Sequence, residues 1–181
     1  MAHEPEPKDH QRSSATGWHD RPSAEPAHAW LVAIRQYLAV IVVGNLLWEF
    51  AQLPLYTIWR TGSPGEILFA AVHCTGGDIL IATASLVLAL VLAGTGWPIA
   101  RRAYRRVAGL AIAFGLAYTV FSEWLNVVVR KSWAYSELMP IVPVVNAGFS
   151  PVLQWIVLPL AAFWWAGRCL SAAQRQAGAR P

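Results

Sequence analysis

The sequence has few charged residues for its length. Of 181 residues, 13% are Asp, Glu, Lys or Arg and 56% are hydrophobic, and the mean hydropathy is +0.40. A soluble domain carries about 25% charged residues. A chain with so little charge cannot cover itself with a hydrated surface, which excludes an ordinary soluble domain and predicts an integral membrane protein.

Cysteine is scarce, and histidine is nearly absent from the apolar part of the chain. Cys74 and Cys169 are the two cysteines. We expect them near opposite sides of a bilayer, too far apart for a disulfide, and neither belongs to a paired-cysteine metal motif. Four of the five histidines fall in residues 1–28, where solvated tail residues are the plain interpretation and loose metal binding is the alternative. They are His3, His10, His19 and His28.

Residues 1–28 also lack Ile, Leu, Val and Phe. A segment without these side chains cannot bury a core, so the sequence predicts a disordered cytoplasmic tail. The first apolar run starts only at Trp30, later than a cleavable signal peptide would require, and we expect the first helix to be retained.

Four long apolar runs follow the tail, each near the roughly 20 residues that span a hydrocarbon core. They predict an all-α integral membrane four-helix bundle over residues 29–168, with a second cytoplasmic tail at 169–181. Pro54 should bend or end the first helix, and Pro159 lies inside the fourth. The predicted spans are 31–58, 67–92, 107–129 and 149–167.

The basic residues predict the orientation of the bundle. With four spans, ten Lys and Arg residues fall on one side and three, Arg60, Arg130 and Lys131, on the other. Because cytoplasmic loops are enriched in Lys and Arg, both termini should be cytoplasmic, in the inner membrane of the cell if the source is bacterial. Membrane lipids are the expected partners of the segment "WPIARRAYRR", and the net charge of +4 requires no nucleic acid.

Polar residues interrupt the apolar runs at one depth. In "FAAVHCTGGDILIA", residues 69–82, a histidine and an aspartate stand among small and apolar side chains. At about 1.5 Å per helical residue, Glu49, His73 and Glu123 should lie in the outer half of three helices, with Asp78 deeper. Gln154 and Trp155 join this layer from the fourth helix.

Helical spacing gathers these residues into stripes. Asn45, Glu49 and Gln52 are separated by four and three residues, and Glu123, Asn126 and Arg130 by three and four, so each set should share one face of its helix. Gly76 and Gly77 remove side-chain bulk, so that a neighbouring helix or a ligand can come close.

The carboxylates favour chemistry over simple helix packing. An ionisable group at the bilayer centre costs at least about 2.5 kcal/mol, and a neutral polar group would join helices at lower cost. Joining helices is the expected role of Asn45, Thr75 and Ser122. The predicted catalytic residues are Glu49, His73, Asp78 and Glu123, a set able to donate and accept protons. A metal held by these four is an alternative, although the Glu-x-x-His repeats of di-iron bundles are absent. No metal ligand is therefore assigned and the cofactor stays open.

The connection 130–151 is long and rich in aromatic residues and prolines. It either covers the polar layer or places Trp133 and Tyr135 in the interfacial aromatic belt. Arg130 is expected to pair with Glu123 or to hold an anionic headgroup. The predicted substrate-binding residues are Gln52, Asn126, Arg130, Trp133, Tyr135, Gln154 and Trp155.

Two motifs resemble parts of known membrane protein families. "EFAQLP" followed by an intramembrane histidine resembles the second and third helices of the emopamil-binding and sigma-2-receptor type of proteins, which are related to sterol isomerases. "SEWLNVVVRKSWAYSELMP" followed by "SPVLQW" is similar to membrane-bound carotenoid hydratases. Each resemblance covers less than a third of the chain, and an additional span carrying Glu123 departs from the first group. They imply an isoprenoid or other lipid-soluble substrate, and no residue roles are transferred.

The sequence thus predicts acid–base chemistry of the isomerase or hydratase type on a lipid-soluble small molecule. The alternatives are a non-catalytic accessory or assembly subunit that grips a partner membrane protein, and a small proton or metal carrier. A homo-oligomer is also open. Polar stripes that face into the monomer would favour the first interpretation over the second.

Overall fold

A computed structural model describes residues 25–178 of the chain. Most of the predicted tail 1–28, with His3, His10 and His19, and residues 179–181 lie outside this range. Residues 25–28 belong to the first helix.

The described chain is almost entirely helical, and four of its helices are long and apolar enough to cross a membrane. The prediction of an all-α, four-helix membrane bundle is therefore confirmed. The helices are α1 (Glu25–Gln52), the short α2 (Ile58–Thr61), α3 (Pro64–Ala93), α4 (Arg101–Glu123) and α5 (Phe149–Gly178).

All four long helices extend beyond the apolar runs that predicted them: α1 begins at Glu25 rather than at 31, and α3 at Pro64 rather than at 67. α4 begins at Arg101 rather than at 107, and α5 continues to Gly178, into the predicted tail. Arginine is a good helix former, so charged turns prolong a helix where hydropathy alone shows no span. The four arginines of "RRAYRR" are consequently held on the first turns of α4.

Proline shapes α1 as predicted. The helix ends at Gln52 and the chain continues as a 3₁₀ turn, Leu53–Leu55, with Pro54 in its first turn. Proline has no backbone N–H and its ring clashes with the preceding helical turn, which accounts for the stop. Pro159, by contrast, is accommodated inside α5.

α4 does not end as an ordinary helix. It continues as a π-helical segment, Trp124–Val129, in which the Arg130 N–H donates to the Leu125 carbonyl at 2.8 Å. After it, the chain forms a small antiparallel hairpin of β1 (Ile141–Val142) and β2 (Ala147–Gly148). Asn146 takes a positive φ of 50° in its turn, a conformation that asparagine tolerates better than most residues.

The bundle is a ring in which each long helix packs against two others. α1 contacts α3 and α5, and α4 contacts the same two from the opposite side. Buried alanines dominate the core away from the polar layer, which permits close helix approach in lipid. They are Ala33, Ala82, Ala89, Ala103, Ala111, Ala162 and Ala166.

Aromatic contacts close one end of the bundle. Trp30 of α1 meets Trp97 edge-on at a centroid distance of 4.6 Å, and the Tyr104 hydroxyl donates to the Phe163 carbonyl at 2.5 Å. The arginines at the start of α4 and near the end of α5 lie here, so we call this the arginine end. The opposite end is called the carboxylate end.

The long connection folds over the carboxylate end. Ser136 donates from its backbone N–H to the Leu55 carbonyl at 2.9 Å and from its hydroxyl to the Pro54 carbonyl at 3.0 Å. The Thr57 N–H donates to the Ala134 carbonyl at 3.0 Å. The long connection, residues 130–148, is thus hydrogen-bonded through Ala134 and Ser136 to the turn that follows α1.

Candidate functional site

A cavity of about 1090 Å³ lies at the carboxylate end, bordered by all four long helices and the long connection. Every predicted site residue except Tyr135 lines this cavity. Tyr135 is hydrogen-bonded to Glu123, which does line it. The predicted residues along its wall are Glu49, Gln52, His73, Asp78, Glu123, Asn126, Arg130, Trp133, Gln154 and Trp155. Their catalytic and binding roles stay predictions.

The α1 stripe faces inward. Asn45 is 2% exposed, Glu49 7% and Gln52 5%. Gln52 donates to the Glu49 carboxylate at 2.8 Å and accepts from the Ser150 hydroxyl at 2.8 Å. The spacing of four and three residues therefore places these polar groups on the buried face of α1, where α5 supplies part of their hydrogen bonding.

Gln154 of α5 joins three helices through one side chain. Its amide nitrogen lies 2.8 Å from Asn45 Oδ1, 3.2 Å from Glu49 Oε1 and 2.9 Å from Asp78 Oδ2. We call Asn45, Glu49, Gln52, Asp78 and Gln154 the amide cluster. It is the most connected polar group of the described chain and fixes the relative depth of α1, α3 and α5.

The amide cluster brings two carboxyl groups close together. Glu49 and Asp78 both lie within 3.2 Å of the same amide nitrogen. Arg130 is the one lysine or arginine on the cavity wall within residues 25–178, and it is exposed. A buried and a half-buried carboxyl without a buried cation beside them in the described chain require a proton or a positively charged group for balance.

Glu123 has a separate environment on α4. It is 7% exposed and accepts a hydrogen bond from the Tyr135 hydroxyl, whose oxygen accepts in turn from the Gly148 N–H at 2.8 Å. Within residues 25–178 Glu123 is thus hydrogen-bonded to Tyr135 and forms no ion pair with Arg130, one of the two alternatives for that arginine. The π-helical segment after Glu123 changes the number of residues per turn, so Arg130 ends exposed instead of above Glu123 on the same face.

The phenols beside Glu123 are held in their neutral form. Burial raises the pKa of Tyr135 above its ordinary value, and the hydrogen bond to Glu123 raises it further. Burial, followed by the nearby Glu123 charge, raises the pKa of Tyr56 as well. A neutral phenol is able to donate a hydrogen bond, so Tyr135 can support a negative charge on Glu123.

His73 lies on the cavity wall but outside the hydrogen-bonded groups. It is exposed, and its ring stacks on Phe69 at a centroid distance of 5.3 Å. Within the described residues it makes no side-chain hydrogen bond to Glu49, Asp78 or Glu123. In this part of the chain, His73 therefore shares the cavity with these three carboxyls but is not hydrogen-bonded to them, and its acid–base role stays a prediction.

The two glycines that follow in α3 leave open space. A Cβ at Gly76 or at Gly77 would meet no atom within 4 Å, so neither allows a described helix to approach. Gly77 lines the cavity whereas Gly76 is exposed on another face. Of the two predicted roles, close approach of a ligand remains for Gly77.

A glycine on α4 does serve packing. Gly115 is buried, and a Cβ there would overlap the indole ring of Trp155. Trp155 is 3% exposed and forms part of the cavity wall. The absence of a side chain at Gly115 therefore positions a predicted binding residue.

Of the residues predicted to join helices, Asn45 alone does so. It connects α1 to α5 through Gln154, whereas Thr75 donates to Ala71 of its own helix at 2.8 Å and Ser122 accepts from Asn126 at 3.2 Å.

Several cavity residues were missed by sequence reasoning. Thr119 lines the cavity and precedes Glu123 by one helical turn, so the i, i+4 rule could have found it. The same rule could have found Ser150, which precedes Gln154 by one turn and donates to Gln52 without lining the cavity. Tyr56 carries no such signal. Within the described chain the Thr119 hydroxyl and the Trp133 indole N–H are buried without a hydrogen-bond partner. Both residues line the cavity, where a ligand or water can satisfy them.

No group of three His, Cys, Asp or Glu side chains within residues 25–178 is arranged to hold a metal ion. Cys74, half-buried on the cavity wall, and Cys169 are both free cysteines.

Comparison with protein-family models, curated proteins and solved structures finds no match to this chain. The resemblances to sterol-isomerase-related proteins and to carotenoid hydratases therefore rest on the quoted motifs alone.

Proposed function

We propose that this membrane-embedded protein is an acid–base enzyme of the isomerase or hydratase type that acts on a lipid-soluble small molecule. One observation carries the proposal: Glu49, Asp78 and Glu123, from three different helices, line a single cavity of about 1090 Å³. Ligand pockets have volumes of about 300–1,000 Å³, so this cavity is large enough for an extended apolar molecule.

The hydrogen bonds suggest a division of roles. Glu49 and Asp78 share the Gln154 amide without a buried cation beside them, which suits a pair that holds a proton and donates it. Glu123 accepts from the Tyr135 hydroxyl, which suits a carboxylate that accepts one. In isomerisation, the pair would protonate one carbon of a C=C double bond, and Glu123 would remove a proton from the carbon attached to the other end of that bond, so that the double bond moves by one position. In hydration, Glu123 would deprotonate the attacking water.

The inward direction of the polar stripe favours this proposal over an accessory subunit. A subunit that gripped a partner helix through Asn45, Glu49 and Gln52 would present these side chains outward, but all three are buried inside the monomer. A proton carrier would use the same carboxyls without forming a product, and the experiment below separates the two.

The test is deuterium transfer to membrane lipids. Washed membranes from cells that express the protein are incubated in buffered D₂O, where no new lipid is synthesised, and the solvent-extracted lipids are compared by mass spectrometry with those of membranes without it. We expect a lipid that gains deuterium on carbon, or one heavier by a water. Glu123→Gln should reduce its formation by at least about 100-fold, the usual contribution of general acid–base catalysis.

Glu137→Gln is the matched control, because Glu137 is exposed and does not line the cavity. It should leave the labelling unchanged. If no labelled lipid forms with the unmodified protein, or if Glu123→Gln retains full labelling in correctly inserted protein, the enzyme proposal is wrong.

A second pair of variants tests the cavity without altering charge. Gly77→Leu places a side chain in the open space of the cavity, whereas Gly76→Leu adds the same side chain outside it. Both substitutions raise helix propensity by the same amount. We expect Gly77→Leu to suppress the labelled product and Gly76→Leu to preserve it; equal effects would show that the cavity does not hold the substrate.

A further inference from the structure

A second cavity, of about 450 Å³, lies at the arginine end between α4 and α5. We call it the arginine groove. Within residues 25–178 its lining contains no acidic residue and consists of Tyr104, Phe163, Trp164, Gly167, Arg168, Ser171 and Arg175. It combines two arginines with aromatic walls, whereas the described lining of the carboxylate-lined cavity has one arginine and four carboxyls.

Arg168 is held in position by an aromatic ring. Its guanidinium carbon lies 4.9 Å from the ring centroid of Trp164, one helical turn earlier. Arg175 follows two turns later on the same face of α5. A guanidinium presents several donors in one plane and matches the oxygens of a phosphate. Two of them on one wall form a site for a phosphate group.

The other wall is shaped by Tyr104 and Gly167. The Tyr104 hydroxyl is fixed by its 2.5 Å hydrogen bond to the Phe163 carbonyl. A Cβ at Gly167 would lie 3.4 Å from that hydroxyl oxygen, in ordinary contact, so a larger side chain there would fill the groove. The glycine keeps the space between α4 and α5 open.

The arginine groove is far from the carboxylate-lined cavity. Tyr104 and Glu123 lie near opposite ends of α4, on the order of 28 Å apart at the helical rise. Arg101, Arg102, Arg105 and Arg106 are exposed around the start of the same helix and add to the positive potential at this end. Anionic lipid surfaces attract basic clusters of this kind.

We propose that the headgroup of an anionic phospholipid binds in the arginine groove. Its phosphate contacts Arg168 and Arg175, and its glycerol and first acyl carbons lie along Phe163 and Trp164. The apolar wall favours a lipid over a free phosphate ion, because Trp164 is 59% exposed and offers a surface to an acyl chain.

The test is native mass spectrometry of the full chain in detergent, titrated with phosphatidylglycerol and, separately, with phosphatidylcholine. We expect phosphatidylglycerol to bind in preference. Replacing both groove arginines, Arg168→Gln with Arg175→Gln, should weaken its binding about tenfold or more, since each basic residue near an anionic lipid contributes about 1 kcal/mol. The control, Arg101→Gln with Arg102→Gln, removes the same charge outside the groove and should weaken binding less than about threefold.

Gly167→Leu keeps every charge and fills the groove, so it should also reduce phosphatidylglycerol binding. If the two double variants lose the same affinity for phosphatidylglycerol, binding depends on overall positive charge and not on the groove. If Gly167→Leu binds the lipid as the unmodified protein does, the lipid binds elsewhere. Equal binding of the two lipids, or displacement of phosphatidylglycerol by equimolar inorganic phosphate, would overturn the proposal of a lipid site.

Discussion

The two ends of the bundle handle charge in opposite ways. At the carboxylate end, Glu49 and Glu123 are each 7% exposed and point into a cavity. At the arginine end, Arg101 and Arg105 are exposed while the core beneath them contains buried alanines such as Ala103. Exposed charge costs a membrane protein little, but buried carboxyls are expensive. The two ends therefore differ in whether charge is buried beside a cavity or exposed at the surface.

The two ends also differ in how their interiors are packed. At the arginine end, small residues and aromatic contacts such as Trp30 with Trp97 fill the interior. At the carboxylate end, the interior is held by hydrogen bonds between amides and carboxyls, and an opening remains beside Gly77. The core of the arginine end is thus closed by packing, with its groove on the outside, whereas the interior of the carboxylate end contains an open cavity.

The largest expected effect concerns which end faces the cytoplasm. Alkaline phosphatase, which is active only outside the cytoplasm, should be inactive when fused at Gly96 or at Gly178, and active when inserted near Glu137 in the long connection. The physical reason is the retention of arginine-rich segments in the cytoplasm. A cytoplasmic fluorescent protein at the same positions should give the opposite pattern. Phosphatase activity at Gly96 would reverse the orientation and place the carboxylate-lined cavity on the cytoplasmic side.

The next effect tests how rigidly α4 and α5 define the cavity. Gly115→Ala should lower the free energy of unfolding by about 1–3 kcal/mol, the usual cost of overpacking a core, because the added Cβ overlaps the Trp155 ring. Thermal unfolding in detergent measures the change.

Gly109→Ala is the matched control on the same helix, since a Cβ there meets no atom within 4 Å. It should be neutral or slightly stabilising. Equal destabilisation by the two substitutions would mean that helix geometry, and not the contact with Trp155, explains Gly115.

Much of this architecture was predictable because membrane helices leave a strong signal. Apolar runs located all four spans, and Pro54 located the end of α1. The spacing of Asn45, Glu49 and Gln52 placed them on one buried face. Charged turns at the start of α4 and the end of α5 were missed, because hydropathy registers only the apolar part of a helix.

The hydrogen-bond partners within the cavity could not be predicted from the sequence. The pairing of Glu123 with Tyr135 depends on a π-helical segment and on the path of residues 130–148, and no local pattern encodes either. The separation of His73 from the hydrogen-bonded carboxyls, at an exposed part of the cavity wall, was not predictable for a related reason. Depth and spacing place a residue along a helix, but the rotation of that helix against its neighbours is decided by packing.

The smallest expected effect is a difference in alkaline stability between unmodified protein and Tyr135→Phe. Burial, followed by Glu123, raises the pKa of Tyr135, so the folded state keeps the phenol proton to a higher pH than the unfolded state does. The stability gained is complete below the ordinary tyrosine pKa of about 10 and is lost as the pH rises above it. Unmodified protein should therefore lose stability between about pH 9 and 11, and Tyr135→Phe should lose less over the same range.

Because Tyr135 is only partly buried, the difference in slope should stay below the limit of about 1.4 kcal/mol per pH unit for one group. For each protein, the thermal unfolding midpoint at each pH is compared with the midpoint of the same protein at about pH 8. This comparison removes the constant effect of the hydrogen bond that Tyr135→Phe lacks at every pH and leaves the effect of the titration. Tyr118→Phe, on the exposed face of α4, is the control and should keep the slope of the unmodified protein. If Tyr135→Phe keeps that slope too, the hydrogen bond from Tyr135 to Glu123 does not stabilise the long connection. The backbone hydrogen bonds of the connection would then be what stabilises the carboxylate end.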